Sequence, residues 1–134
     1  MNKHDLLADP TETSQPFWDA TSRNELRIQR CRDCERWVFY PRELCPGCFG
    51  AALSWEVVEG TGEIHTYSVV HRAAVPEYEQ DAPYVLAIVE LDEGVRLMAN
   101  ILDCEGDDVS IGERVRVVFE DRNGRQLPQF ELER

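Results

Sequence analysis

The chain has 134 residues, 26 Asp and Glu against 14 Lys and Arg, and a net charge of −12. That length suits one domain, or a small domain with a mini-domain attached. No stretch approaches the ~20 apolar residues of a membrane-spanning helix, and an acidic body disfavours generic binding to nucleic-acid phosphates.

The charge is unevenly spread: −3 over residues 1–22, +2 over residues 23–43, and −11 over residues 44–134. Residues 1–14 read as a flexible leader, polar and without periodicity, and nothing in them resembles a secretory signal. Pro16 suits the first turn of a short helix. Phe17 and Trp18 are adjacent in that helix and cannot share one narrow face. One is expected to pack on the body, leaving the other as a partner contact. Glu25 to Arg30 alternates polar and apolar residues, as a strand does.

That strand runs into the strongest motif of the chain, Cys31-Arg-Asp-Cys34 followed by Cys45-Pro-Gly-Cys48. Each C-x2-C turn presents two sulfurs on one side of a loop, and two such loops close a tetrahedral four-thiolate site. Pro46 and Gly47 supply a tight turn that aims amides at the sulfurs. With four protein ligands the metal has no open position, so its role is structural rather than catalytic. Zinc is the reading adopted, although iron also accepts tetrahedral sulfur. Disulfides fit less well, because nothing resembling a secretory signal precedes the pairs, and reduced cysteines lead to the expectation of a cytoplasmic location. Cys104 stands alone and is expected as a buried small hydrophobe.

After Gly50 the pattern is β throughout. Leu53 to Glu59 reads as a strand and Gly60-Thr-Gly62 breaks it, followed by a strand from Ile64 to His71. Arg72 to Pro83 is a loop. Tyr84 to Leu91 is almost continuously apolar, which predicts a strand buried on both sides. Asp92-Glu-Gly94 turns the chain into Val95 to Leu102. Arg114 to Glu120 places Val115, Val117 and Phe119 inward, and Asp121-Arg-Asn123-Gly124 is a hairpin signal before a last strand from Gln126 to Leu132. The fold class is mainly β: leader 1–14, helix and rubredoxin-like zinc ribbon 15–50, five-stranded OB-fold barrel 51–134.

The search for catalysis is negative. His4, His65 and His71 have no nucleophile beside them in a recognisable arrangement, and the acidic pairs Asp92-Glu93 and Asp107-Asp108 sit at turns, where acids are common without function. No catalytic residue is assigned. The arginines of residues 23–43 read first as charge compensation around a zinc–tetrathiolate, and second as a site for a phosphorylated ligand or acidic partner.

The ordered set of pieces resembles a known family. Phe17-Trp18 precedes the ribbon Cys31 to Cys48. Then come Gly60 to Tyr67, Pro83 to Arg96, Ile111 to Glu120 and Leu127 to Phe130. Together they look like the zinc-ribbon plus OB-fold family catalogued as domain of unknown function number thirty-five. The resemblance implies an acyl-CoA-associated accessory subunit, without catalytic residues, that partners a thiolase-superfamily enzyme: a thiolase, synthase, acyltransferase or aldolase. On that reading Arg30 and Arg42 are candidates for the nucleotide end of acyl-CoA. Tyr84 and the loop before it are candidates for the pantetheine arm, and Phe17 and Trp18 for the partner. The alternative is a stand-alone nucleotide or single-stranded nucleic-acid binding module, which the acidic barrel disfavours. An independent enzyme is the third reading.

Overall fold

The computed structural model describes residues 11–71, 83–122 and 124–133. The first ten residues of the expected leader, including His4, lie outside that set, as do residues 72–82 of the loop before Tyr84 and Asn123 of the final hairpin. The leader's last four residues are ordered by their own side chains. Ser14 is buried, and its Oγ accepts hydrogen bonds from the Thr11 amide and hydroxyl.

Helix α1 spans Gln15–Thr21, with Pro16 in its first turn as the sequence predicts. It ends where Thr21 turns its hydroxyl back to the Trp18 carbonyl and Asn24 takes a positive φ. Strand β1, Leu26–Cys31, then pairs with β2, Trp37–Val38, on one side and β3, Leu53–Val58, on the other. The β1–β3 register runs from Leu26↔Val58 to Cys31↔Leu53. Leu53 to Glu59, counted with the barrel on sequence, thus pairs along the ribbon's own strand. Its alternation marks a strand but carries no record of which sheet receives it.

The barrel is closed by five strands in the order β4-β5-β6-β8-β7, the topology of an OB-fold. These are β4 Thr61–Val70, β5 Tyr84–Leu91, β6 Arg96–Leu102, β7 Arg114–Arg122 and β8 Arg125–Leu132. At Gly62 β4 approaches β5 closely, since a Cβ there would meet the Glu90 carbonyl. His65 is the extra residue of a β-bulge between Ile64 and Thr66, and it points to solvent. A 3₁₀ turn at Gly106–Asp108 bridges β6 and β7.

Strand β5 differs from its expected double burial. Val85, Ala87, Val89 and Leu91 fill the barrel, while Tyr84, Leu86, Ile88 and Glu90 face outward and are only half-buried. A closed barrel gives every strand an inside and an outside, so an apolar run on both faces means that something apolar lies against the outside. Cys104 is likewise half-buried, packed on the core's edge with its thiol directed at the Ile101 carbonyl. The turn from Asp103, which has a positive φ, lifts it out of the barrel.

One continuous core joins the two halves. Phe17 from α1, Leu26 and Ile28 from β1 and Val58 from β3 pack into the same cluster as Ile64, Val89, Val115 and Phe130 of the barrel. A second, smaller cluster of Cys31, Val38 and Cys45 surrounds the metal end of the ribbon. Ribbon and barrel are therefore held as one frame. Among the described residues no helix is long and apolar enough to cross a membrane.

Candidate metal centre and apolar groove

The two cysteine pairs fold as matching knuckles. In the first, the Glu35 amide donates to the Cys31 carbonyl; in the second, the Phe49 amide donates to the Cys45 carbonyl, each at 2.8 Å. The residue after each second cysteine, Glu35 and Phe49, adopts a positive φ of 64° and 63°. Cys31 and Cys45 are buried and Cys34 and Cys48 exposed. The four sulfurs lie within 4.8 Å of one another, with Cys31–Cys48 at 3.5 Å and Cys34–Cys45 at 3.6 Å. A tetrahedron with Zn–S bonds of ~2.3 Å has edges of about 3.8 Å, so the donor set fits one ion. This is a structural zinc centre, closed by four protein ligands.

The surroundings drive the two thiols of the second knuckle apart. The Cys48 amide, working against burial and with help from the Gly47 amide 3.3 Å from the sulfur, holds Cys45 down at about 6. Cys48 is drawn down by the Gly50 amide, but the Cys31 thiol, burial and the Cys34 and Cys45 thiols together push it up to about 12. Four crowded sulfurs cannot all ionise without a cation among them, and a divalent metal resolves that conflict. Arg36 lies across Gly47 of the second knuckle, where any side chain would strike its guanidinium. One ribbon arginine is thus placed as charge compensation.

The other candidate residues fall into two groups. Phe17, Trp18 and Tyr84 come together on one apolar groove between α1, the ribbon and the outside of the barrel, with a cavity of ≈ 380 Å³. Phe17 is 4% exposed and belongs to the core, packed edge-on against Trp18 and Phe39. Trp18 is half-buried, with Arg125 stacked 5.3 Å from its ring. Of the two aromatics, Phe17 is the one buried in the core, and Trp18 packs half-buried at its edge. Arg30 and Arg42 lie elsewhere. Arg30 stacks 4.9 Å over Trp37 and donates to the Glu35 carbonyl, while Arg42 borders a shallow depression with Thr13 and Leu44.

Sequence reasoning missed most of this groove. Its floor is the seam where β6 meets β8, and the parallel ladder there covers only Ile101↔Phe130 and Leu102↔Glu131. Nearer the other ends of the two strands, Met98, 69% exposed, and Pro128 face the opening, and Tyr40, 58% exposed, stands on the rim. Two signals were present: the outward apolar positions of β5, and a proline inside a strand, which marks an edge with no partner for its missing donor. His65 and His71 are both exposed and neither lines the groove.

Comparison with known proteins adds the following. Residues 18–54 match the family model described as ChsH2, rubredoxin-like zinc ribbon domain, and residues 55–120 match ChsH2, C-terminal OB-fold domain. A DUF35 domain-containing scaffold protein of Methanothermobacter thermautotrophicus is 38% identical over 110 residues, covering 81% of this chain and 82% of that one. Its counterpart in Methanocaldococcus jannaschii is 45% identical over 91 residues, 67% of this chain and 64% of the other. A protein of Thermomonospora curvata named "Probable enoyl-CoA hydratase alpha subunit" is 39% identical over 99 residues, 72% of this chain, which spans only 30% of that subunit's length. The solved structure of an Ltp2-ChsH2(DUF35) aldolase superposes with a TM-score of 0.84 at 30% identity, over 94% of this chain and 98% of the other.

Proposed function

The chain belongs to the ChsH2 family of zinc-ribbon and OB-fold proteins, the DUF35 proteins, and we propose that it is an accessory subunit of an enzyme acting on acyl-CoA. The observation that carries this is the groove. Its described lining contains no carboxylate, imidazole, thiol, amine or aliphatic hydroxyl, only aromatic and aliphatic groups with two amide side chains. Such a surface holds a ligand or a partner; its phenols, Tyr40 and Tyr84, have no carboxylate, imidazole or thiol beside them in the lining to activate them. The metal is equally closed to chemistry. Relatives named as a hydratase alpha subunit and as one component of an aldolase support the same role.

The partner we propose is a thiolase-superfamily enzyme, docked through the exposed aromatic rim. Trp18 and Tyr40 are the contacts, and Phe17 supports them from the core. A rim of large, half-exposed aromatic residues is the kind of surface that partners cover. The chain would organise that enzyme and help present its acyl-CoA.

The experiment is a tagged purification from the native host with mass spectrometry of what accompanies the chain. A stoichiometric acyl-CoA enzyme is the expected result, with retention reduced in Trp18→Ala and Tyr40→Ala. Recovery of the chain alone, or with nucleic acid, would overturn the reading.

A further inference from the structure

The two knuckles are alike in backbone and unlike in cover. In each, the amide of the first cysteine donates to the carbonyl five residues on, Cys31 to Arg36 at 2.8 Å and Cys45 to Gly50 at 2.9 Å. Gly50 therefore stands where Arg36 stands in the first knuckle. Arg36 carries a long side chain, laid across Gly47, and Gly50 carries none. A Cβ added at Gly50 would lie 3.4 Å from the Cys48 sulfur, so the missing side chain leaves that sulfur open on one side. Cys48 is also one of the two exposed cysteines, and the sulfur of buried Cys31 lies 3.5 Å from its own. An exposed thiolate with a second sulfur in reach is what oxidants meet first.

What the metal holds extends to the groove. Cys34 and Cys45 bracket the segment 35–44, and Val38 in it packs with Cys31 and Cys45 in the small cluster. Phe39, next along, packs edge-on against Phe17 and against Tyr40, and Tyr40 stands on the groove's rim. Strand β2 ties this segment to β1 through only Gln29↔Val38 and Arg30↔Trp37. So short a ladder depends on the metal at its two ends.

We propose that Cys48 is the entry point of a peroxide-sensitive switch that empties the metal site and withdraws the rim of the groove. The Cys48 sulfur attacks one oxygen of hydrogen peroxide, the O–O bond breaks, hydroxide leaves, and Cys48 becomes a sulfenic acid. The Cys31 thiolate then attacks the Cys48 sulfur, forming the Cys31–Cys48 disulfide and expelling a second hydroxide. Two thiolates have lost two electrons, the peroxide has gained them, and two protons from solvent turn the hydroxides to water. Half of the ligand set is gone, and the affinity that depended on four thiolates goes with it. Cys34 and Cys45, with sulfurs 3.6 Å apart, are placed to close in the same way on a second peroxide. The consequence for a partner rests on the accessory-subunit reading, since the rim is the surface assigned to the enzyme.

The test treats the zinc-loaded, isotope-labelled full chain with hydrogen peroxide. Zinc release is followed with a chromogenic chelator, disulfides by mass spectrometry, and the Phe39 and Tyr40 backbone amides by NMR. Release of the zinc is expected, with Cys31–Cys48 the first disulfide and the rim amides shifting in step. A thiol reductant with added zinc should restore the original spectrum. Gly50→Ala sets a methyl group against the Cys48 sulfur and should slow peroxide-driven release severalfold, while release to the chelator without peroxide is unchanged. Should that variant fail to fold, the order of disulfides in the wild type gives the same reading. Zinc retained in excess peroxide, a first disulfide that lacks Cys48, rim amides unmoved after release, or undiminished release from a folded Gly50→Ala would each overturn the proposal. These readings use the chain alone and are independent of whether an acyl-CoA enzyme accompanies it. A peroxide-treated, zinc-free chain that still holds its enzyme would refute the switch and leave the accessory-subunit reading standing.

Discussion

Gln29 grips Arg42 by both backbone groups. Its Nε2 donates to the Arg42 carbonyl at 2.8 Å and its Oε1 accepts from the Arg42 amide at 2.7 Å. The pair ties β1 to the segment that leads into the second cysteine knuckle, thirteen residues on, and Gln29 is itself buried. Gln29→Ala removes both bonds and leaves two backbone groups unpaired, for a loss of about 1–3 kcal/mol. The expected outcome is a lower denaturation midpoint and faster zinc release to a chromogenic chelator. A release rate equal to the wild type would show that the knuckles hold their geometry without this clamp.

Removing the metal should do more than loosen the ribbon. Cys31 and Cys45 are fully buried, while Leu26, Ile28 and Val58 belong to the same core as the barrel. Metal analysis is expected to give one zinc per chain. Chelation, or Cys45→Ser, should abolish the β1–β2–β3 sheet and lower the barrel's own thermal midpoint, since small metal sites carry folding energy outright. Far-UV circular dichroism during heating, with and without chelator, measures both effects. Identical melting in the two conditions would contradict the shared core.

The metal site was legible in sequence because it is local: two C-x2-C pairs carry their geometry in four or five residues each. The hairpins at Gly94 and Gly124, both with positive φ, were legible for the same reason. What escaped is non-local. Leu53–Val58 alternates equally well for either sheet, and only its pairing with β1 places it. Gln29 occupies a polar slot in an alternating strand, where the pattern puts solvent, yet it faces inward because a backbone waits there to be bonded. The groove depends on β6 and β8, some 29 residues apart at Ile101↔Phe130, meeting over only two residue pairs. No window of sequence records where two parallel strands part.

Asp92 makes the barrel's stability pH-dependent. Both oxygens receive the Arg114 guanidinium, at 2.9 and 3.0 Å, and one also accepts the Thr61 hydroxyl at 2.7 Å. The Arg114 hydrogen bonds, then that of Thr61, lower its carboxyl to about 2 from an ordinary 3.8. A depressed folded-state value means that the stabilisation is full above pH 4 and fades as pH falls toward 2. Asp92 is half-exposed, so solvent screening keeps the contribution under about 1 kcal/mol. Asp92→Asn should therefore be less stable than the wild type at pH 7, with most of the difference gone by pH 2. A difference undiminished at pH 2 would mean that packing, not charge, is responsible.

Gly62 tests the closure of the barrel. A Cβ there would collide with the Glu90 carbonyl and the neighbouring backbone of β5, neither of which can swing aside like a side chain. Gly62→Ala must separate β4 from β5 and is expected to cost about 3 kcal/mol or more, the upper range for overpacking. Gly94→Ala is the comparison, since its surroundings are open and only its positive φ, of 99°, resists the change. Its expected loss is about 1–2 kcal/mol. Urea midpoints of the two variants give the ranking, and a milder effect at Gly62 would place the close approach elsewhere.

Arg30 and Arg42 are separated from the groove, which lets the two ends of an acyl-CoA be tested apart. If these arginines meet the nucleotide end, Arg30→Ala with Arg42→Ala should weaken acyl-CoA binding severalfold at low salt and progressively less as ionic strength rises. Binding of butyryl-pantetheine, which carries no nucleotide, should be unchanged by the same pair. Arg30 also stacks on Trp37 and holds the Glu35 carbonyl, so Arg42→Ala alone is the cleaner measurement: its guanidinium can be removed while Gln29 still holds its backbone. Isothermal titration with acyl-CoA and with the pantetheine thioester separates the outcomes. Equal affinity of the double variant for acyl-CoA would remove both arginines from the ligand and leave them as counter-charges to an acidic chain.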